Sequence, residues 1–182
     1  TMRLAQRMRD DFARYVAHNP DIHFSAGLSM TKPGLPIRHL GQLAEEALED
    51  AKRLPGKNAV TCFGQSVSGS TFGELMNLGA ALAELSGGLK LSTGYLYGLL
   101  HLTDMAADQT RPENALWHSR FAYRTRRMLE AKIRNEGDRD ATERKRTQLQ
   151  QELAVEIVSS GIEKHRAAYK IALFTYLYQQ RD

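Results

Sequence analysis

The amino-acid sequence predicts an α+β protein that is predominantly helical, with an α-β-α-β segment over residues 1–64 and an all-helical bundle over residues 65–182. Three observations carry this. Apolar residues recur at three- and four-residue spacing through most of the chain, the period of a helix with one buried face. Two short stretches, 22–30 and 59–63, break that period and read as strands. After a Gly- and Ser-rich stretch at 64–70, only the helical period remains.

The first helix is marked by Leu4, Met8, Phe12 and Tyr15/Val16 at helical spacing. Asn19-Pro20-Asp21 ends it, and Ile22 to Met30 then alternates apolar with small or polar residues, as a strand does. Lys32-Pro33-Gly34-Leu35-Pro36 is turn chemistry, with Pro36 suited to a helix's first turn. The next helix is expected from about Ile37 to Arg53, with Leu40, Leu43/Ala44, Ala47/Leu48 and Ala51 as its buried stripe and Pro55-Gly56 as its stop. Ala59 to Phe63 reads as the second strand, and residues 64–70 as the boundary between two structural units.

Beyond the boundary, Thr71-Phe72-Gly73-Glu74 has the form of a capping box, opening a helix that ends near Gly87-Gly88. A further helix spans about Ser92 to Ala107. Pro112 opens another, carrying Trp117, Phe121 and Met128 and breaking near Gly137-Asp138. The last stretch gives one long or two shorter amphipathic helices, with Leu149, Leu153 and Ile157, then Tyr169, Leu173 and Tyr176, at helical spacing.

Composition narrows the class. A hydrophobic content of 42% is that of a folded domain, and no apolar run approaches the roughly 18 residues that a membrane-spanning helix needs. One cysteine, Cys62, excludes an intrachain disulfide framework and fits a reducing compartment. No secretory signal is visible, so a cytoplasmic location is expected. The six histidines show no His-x-x-x-His, Cys-x-x-Cys or Glu-x-x-His spacing, which argues against a zinc site. Gly64-Gln65-Ser66-Val67-Ser68 has no closing glycine, so a serine-hydrolase elbow is a poor reading.

Two segments in register are more specific. Phe24-Ser25-Ala26-Gly27-Leu28-Ser29 is followed by Leu43-Ala44-Glu45-Glu46-Ala47-Leu48-Glu49-Asp50-Ala51-Lys52 and then Gly56-Lys57-Asn58. This order resembles the second half of a GGDEF-type nucleotide-cyclase palm, a partial ferredoxin-like fold. Within palm proteins it is most similar to the large subunit of Csm-type (type III-A) CRISPR interference complexes, whose second palm is followed by an all-helical C-terminal domain. Ala115-Leu116-Trp117 with Arg120-Phe121-Ala122-Tyr123 looks like that domain too. Ser68-Gly69-Ser70 departs from the pattern, since many relatives carry an aromatic residue after the serine, and this leaves the junction open.

The resemblance implies an intact protein that makes cyclic oligoadenylate from ATP when its complex binds target RNA. A Gly-Gly-Asp-Asp turn and two divalent metals (Mg or Mn) serve that reaction, because phosphodiester formation needs cations to activate the attacking hydroxyl and neutralise the leaving pyrophosphate. This chain has neither that turn nor the His-Asp pair of the family's HD nuclease, so no catalytic residue is expected in it and it is expected to be inactive alone, with no tightly bound cofactor. The implied partners are other Csm subunits, guide RNA and target RNA, with no membrane. Strand edges left open in a half palm lead to an expectation of self-association. The alternatives are a cyclase half active only with a full palm, and a helical RNA-binding or scaffold module with no nucleotide role.

By that resemblance Lys52 and Lys57 sit where palm cyclases place cations toward nucleotide phosphates. Read without it, Lys52 is a solvated lysine favoured at a helix C-terminus, Ser25 and Gly27 are small strand-packing residues, and Asn58 is a turn residue. Residues 118–146 hold ten basic and five acidic side chains, an excess greater than the whole chain's net +4. Arg120, Arg124, Arg127 and Arg134 are expected on one helical face that could follow a phosphate backbone. A solvated face laced with pairs such as Arg126 with Glu130 is the competing reading. Tyr169, Phe174, Tyr176 and Tyr178 read either as core or as a partner-facing patch.

Overall fold

The computed structural model describes residues 1–87, 89, 91–134 and 138–179. It divides into two compact units, Thr1–Asn77 and Leu78–Asp182. The expected helix ends at Gly88 and Gly137 lie outside the described residues.

In the first unit, helices α1 (Met2–Tyr15) and α2 (Ile37–Arg53) accompany strands β1 (Ala26–Leu28), β2 (Ala59–Cys62) and β3 (Gln65–Ser68), and α3 (Gly69–Gly87) begins. The sheet order is β1-β2-β3. β1 runs parallel to β2 with Ala26 opposite Val60 and Leu28 opposite Cys62, so β1-α2-β2 is a crossover unit. β2 and β3 are antiparallel, with Ala59 opposite Ser68 and Cys62 opposite Gln65.

Several expectations change here. β1 covers three residues rather than 22–30, and before it the Phe24 carbonyl accepts from the Arg9 guanidinium at 3.3 Å. The stretch read as a boundary contains β3. Phe63 and Gly64, both at positive φ (51° and 70°), form the two-residue turn into it. Such turns match the twist of paired strands, and Phe at the first position hid the signal. α3 opens at Gly69 rather than Thr71, its start capped by Ser68, whose Oγ accepts from the Thr71 N–H at 3.2 Å.

α2 lies close over β1. A side chain at Gly27 would collide with the α2 backbone at Ala44, Ala47 and Leu48, which is why a residue without Cβ stands there. Of the stripe expected on α2, Ala51 is fully buried and Leu40, Ala44, Ala47 and Leu48 are half-buried, while Leu43 is exposed. On α1 the buried residues are Met2 and Ala5. Leu4, Met8 and Tyr15, which revealed the helix, are 60%, 54% and 87% exposed.

The second unit takes the remainder of α3, then α4 (Thr93–Ala107), a 3-10 turn (Pro112–Leu116), α5 (Trp117–Lys132) and α6 (Arg139–Leu153). A π-helical stretch (Ala154–Glu163), a 3-10 turn (Arg166–Tyr169) and α7 (Lys170–Gln179) follow. Ser92 caps α4 by accepting from the Tyr95 N–H at 3.2 Å, and Asp138 caps α6 through the N–H groups of Asp140 and Ala141. Leu96, Leu99, Trp117, Leu129, Leu153, Ile157 and Ile171 form its core. Gly161 sits in the π-helical stretch because a Cβ there would strike the Tyr169 ring. Tyr169 and Tyr176 are buried, so packing accounts for these aromatics, and only Tyr178 among the four reaches 38% exposure.

Candidate nucleotide and nucleic-acid sites

Parallel pairing puts the starts of β1 and β2 at one end of the small sheet, and the short link from α2 brings residues 54–58 there as well. Ser25, Lys57 and Asn58 meet at that end. The Ser25 hydroxyl donates to the Lys57 carbonyl, and the Lys57 N–H donates to the Leu54 carbonyl at 3.0 Å. Lys57 has a φ of +56°, so it occupies a left-handed turn position with its side chain exposed. Lys52, on the last turn of α2, places Nζ 2.8 Å from Glu49 Oε1, and this contact holds the Glu49 carboxyl below its ordinary range.

A residue the sequence reading did not single out organises this end. Arg9 donates from Nη2 to Asn58 Oδ1 at 2.5 Å and from Nη1 to the Phe24 carbonyl. Its guanidinium carbon lies 5.7 Å from the centre of the Phe24 ring, which Phe12 meets edge-on at 5.1 Å. Burial lowers the Arg9 pKa from its ordinary value, with the Asp10 charge opposing. Beside it is a cleft of about 200 Å³ lined by Arg9, Phe12, His18, His23, Phe24 and Asn58 among others. Arg9 is one arginine among several on an exposed helix, and only the fold shows what it reaches.

In the second unit the arginines of α5 divide into two settings. Arg126 is held by two carboxylates, Nε to Glu130 Oε1 at 2.9 Å and Nη2 to Glu143 Oε1 at 2.5 Å. Arg146 joins Glu143 at 3.5 Å and donates to the Ile133 carbonyl, linking α6 to α5. The bonds to Glu130 and then Glu143 raise the Arg126 pKa, and Arg126 depresses that of Glu130. This is the paired face that competes with a phosphate-binding one. Arg120 and Arg124 differ. Arg120 Nη1 donates to the Met105 sulfur at 3.7 Å, and Arg124 Nη2 to the Gly94 carbonyl at 3.0 Å. Arg127 lies 3.7 Å from Glu130 Oε2. Arg134 stands beyond the end of α5, since Ile133 is already extended; the expected row of four on one helix face is therefore a row of three.

Cys62 is buried, and burial pushes its thiol up to about 12, too high for a thiolate nucleophile near neutral pH. Among the described residues no group of three or more His, Cys, Asp or Glu side chains is placed to hold a metal ion, and no helix is long and apolar enough to cross a membrane.

Fold and motif together define a palm-type unit followed by a helical one. Residues 1–61 match the family model described as Cas10/Cmr2, second palm domain. A protein of Methanocaldococcus jannaschii described as CRISPR system single-strand-specific deoxyribonuclease Cas10/Csm1 (subtype III-A) is 35% identical over 71 residues, which cover 33% of this chain and 9% of that relative. No solved structure matches. The first 61 residues are thus similar to Cas10/Cmr2 second palm domains, and the aligned part of the chain spans about a tenth of the length of that type III-A relative.

Proposed function

We propose that this chain is the C-terminal part of a Csm-type large subunit, in which residues 1–64 support a nucleotide pocket and residues 65–182 dock partner subunits and the guide–target RNA. The observation that carries this reading is the β1-α2-β2 crossover of a second palm, which collects Ser25, Lys57 and Asn58 at one end of the sheet.

In the intact protein, Lys57, and Lys52 once it leaves Glu49, would offer ammonium charges to the phosphates of ATP. A divalent metal would supply charge neutralisation for cyclic oligoadenylate synthesis. Among the described residues no ligand set is placed to hold this ion; the role proposed for this chain is support of the nucleotide, in a complex acting in the cytoplasm.

The test is ATP binding by the complete subunit. Lys57→Ala is expected to weaken ATP binding about tenfold, as removal of one charge-assisted hydrogen bond does, and Lys52→Ala less. Unchanged affinity in both variants overturns the nucleotide role. The 182-residue chain with ATP and magnesium should yield no oligoadenylate, and turnover would overturn the reading of it as a supporting part.

A second reading, a helical RNA-binding or scaffold module with no nucleotide role, is favoured by one observation: Lys52 already has a carboxylate partner at 2.8 Å.

A further inference from the structure

Arg120 and Arg124 are held in place without being neutralised. Their acceptors, a thioether and a backbone carbonyl, are uncharged, and among the described residues neither has a carboxylate within ion-pair distance. Two residues after Arg124 on the same helix, Arg126 has two carboxylates. A side chain ordered against the protein while its charge stays available is prepared for an external anion, since its conformational entropy is already lost.

The neighbouring helix is shaped to allow this. Gly94 supplies the carbonyl, and Gly98 leaves the space that the Arg124 guanidinium fills: a Cβ at 98 would overlap it. Gly94, Tyr97, Gly98 and His101 follow one another at helical spacing on α4, so Tyr97 and His101 border the same surface. Tyr97 is 51% exposed, and on α5 Tyr123, one turn from both Arg120 and Arg127, is 69% exposed. Asp104 on α4 is engaged with Lys170, and Glu130 on α5 with Arg126.

We propose that this α4–α5 surface binds single-stranded nucleic acid, Arg120 and Arg124 taking the phosphates and Tyr97 and Tyr123 stacking on unpaired bases. Guanidinium groups beside solvent-facing aromatic rings are the combination that single strands need, because bases splayed from the backbone present π-faces that a duplex hides. The proposal rests on RNA docking by residues 65–182 and adds its chemistry and residues.

The test is titration of the 182-residue chain with fluorescent single-stranded RNA, single-stranded DNA of the same sequence, and duplex, over a salt series. The single strands are expected to bind more tightly than the duplex. Replacing both tyrosines by alanine should weaken single-strand binding about tenfold per stacked base with the salt slope unchanged. Arg120→Ala with Arg124→Ala should flatten the slope by about 0.7 for each phosphate no longer neutralised. Gly98→Ala should displace the Arg124 guanidinium from its seat and weaken single-strand binding with the salt slope retained, while the helix stays folded by circular dichroism. If binding survives the tyrosine variant unchanged, or the duplex competes equally, stacking is wrong and RNA docking stands. If the wild-type chain binds neither strand nor duplex at low salt, RNA docking by this region fails too. RNA bound more tightly than DNA assigns a contact to the 2′-hydroxyl, and equal binding places recognition on phosphate and base alone; both support the proposal.

Discussion

The two units solve the problem of burial differently. In the sheet unit α1 buries two of its 14 residues and α2 one of 17, and Ile37, Tyr15, Leu4 and Met8 face outward. In the helical unit α4 alone buries nine of 15. α1 and α2 have the sharper apolar period yet bury least, while α4 is apolar on most of its faces, so amphipathic pattern measures what a helix can bury and not what it does bury. β1, at the end of the sheet order, also offers an outer edge with no strand partner among the described residues. The sheet unit thus presents apolar and hydrogen-bonding surface outward, while the helical unit spends its apolar surface on its own core.

The largest effect that would sharpen this contrast is expected from Trp117→Ala, which empties a site only 2% exposed and should cost about 3–5 kcal/mol in denaturant unfolding of the helical unit. A destabilisation below about 1 kcal/mol would mean that the core is not built around that ring. Gly27→Val comes next. It forces α2 off β1, and overpacking of this kind costs about 1–3 kcal/mol; hydrogen exchange should show the damage as faster exchange at Val60, Thr61 and Cys62.

Self-association is the third expectation. Analytical ultracentrifugation of the chain should show a concentration-dependent dimer, weakened when Leu4 and Met8 become serine, and folding stability should change by no more than about 0.5 kcal/mol because both are exposed. A monomer at all concentrations removes the idea that the outward surface seeks a partner.

The smallest effects are ionic and chemical. The depressed Glu130 and Glu49 groups stabilise the fold above their unfolded-state values, near about 4.3, and that contribution is lost as pH falls through their lower folded values. A slight weakening of α5 around Glu130 and of the last turn of α2 around Glu49 is therefore expected in acid, read by faster amide exchange at those turns. Cys62 should resist thiol reagents at neutral pH until the sheet unit opens, and rapid labelling of the folded chain would contradict its burial.

How legible this was varied with the kind of signal. The α1, α2, α4 and α5 spans and the early use of Pro112 follow from local period and turn chemistry, whereas the 24–58 register rests on the resemblance to a second palm. β3 was hidden because a Phe-Gly turn lacks the Asn-Gly or Asp-Gly mark, and the Ser68 cap was hidden behind a plausible Thr71 box. Arg9 could not be picked out at all. Its partners, Phe24 and Asn58, lie 15 and 49 residues away, and no spacing rule reaches that far.

The sequence by itself determined that the chain is helical with one small strand pair, that it carries a second-palm register without the metal-binding turn, and that positive charge concentrates at residues 118–146. Those are properties of neighbouring residues and of composition. Only the tertiary structure decided which charges remain available. Arg126 and Arg124 are two residues apart and chemically the same, yet one faces Glu130 and Glu143 while the other lies over a glycine and a neutral carbonyl. Neutralisation depends on what another helix brings within a few ångströms, and that is a fact of packing.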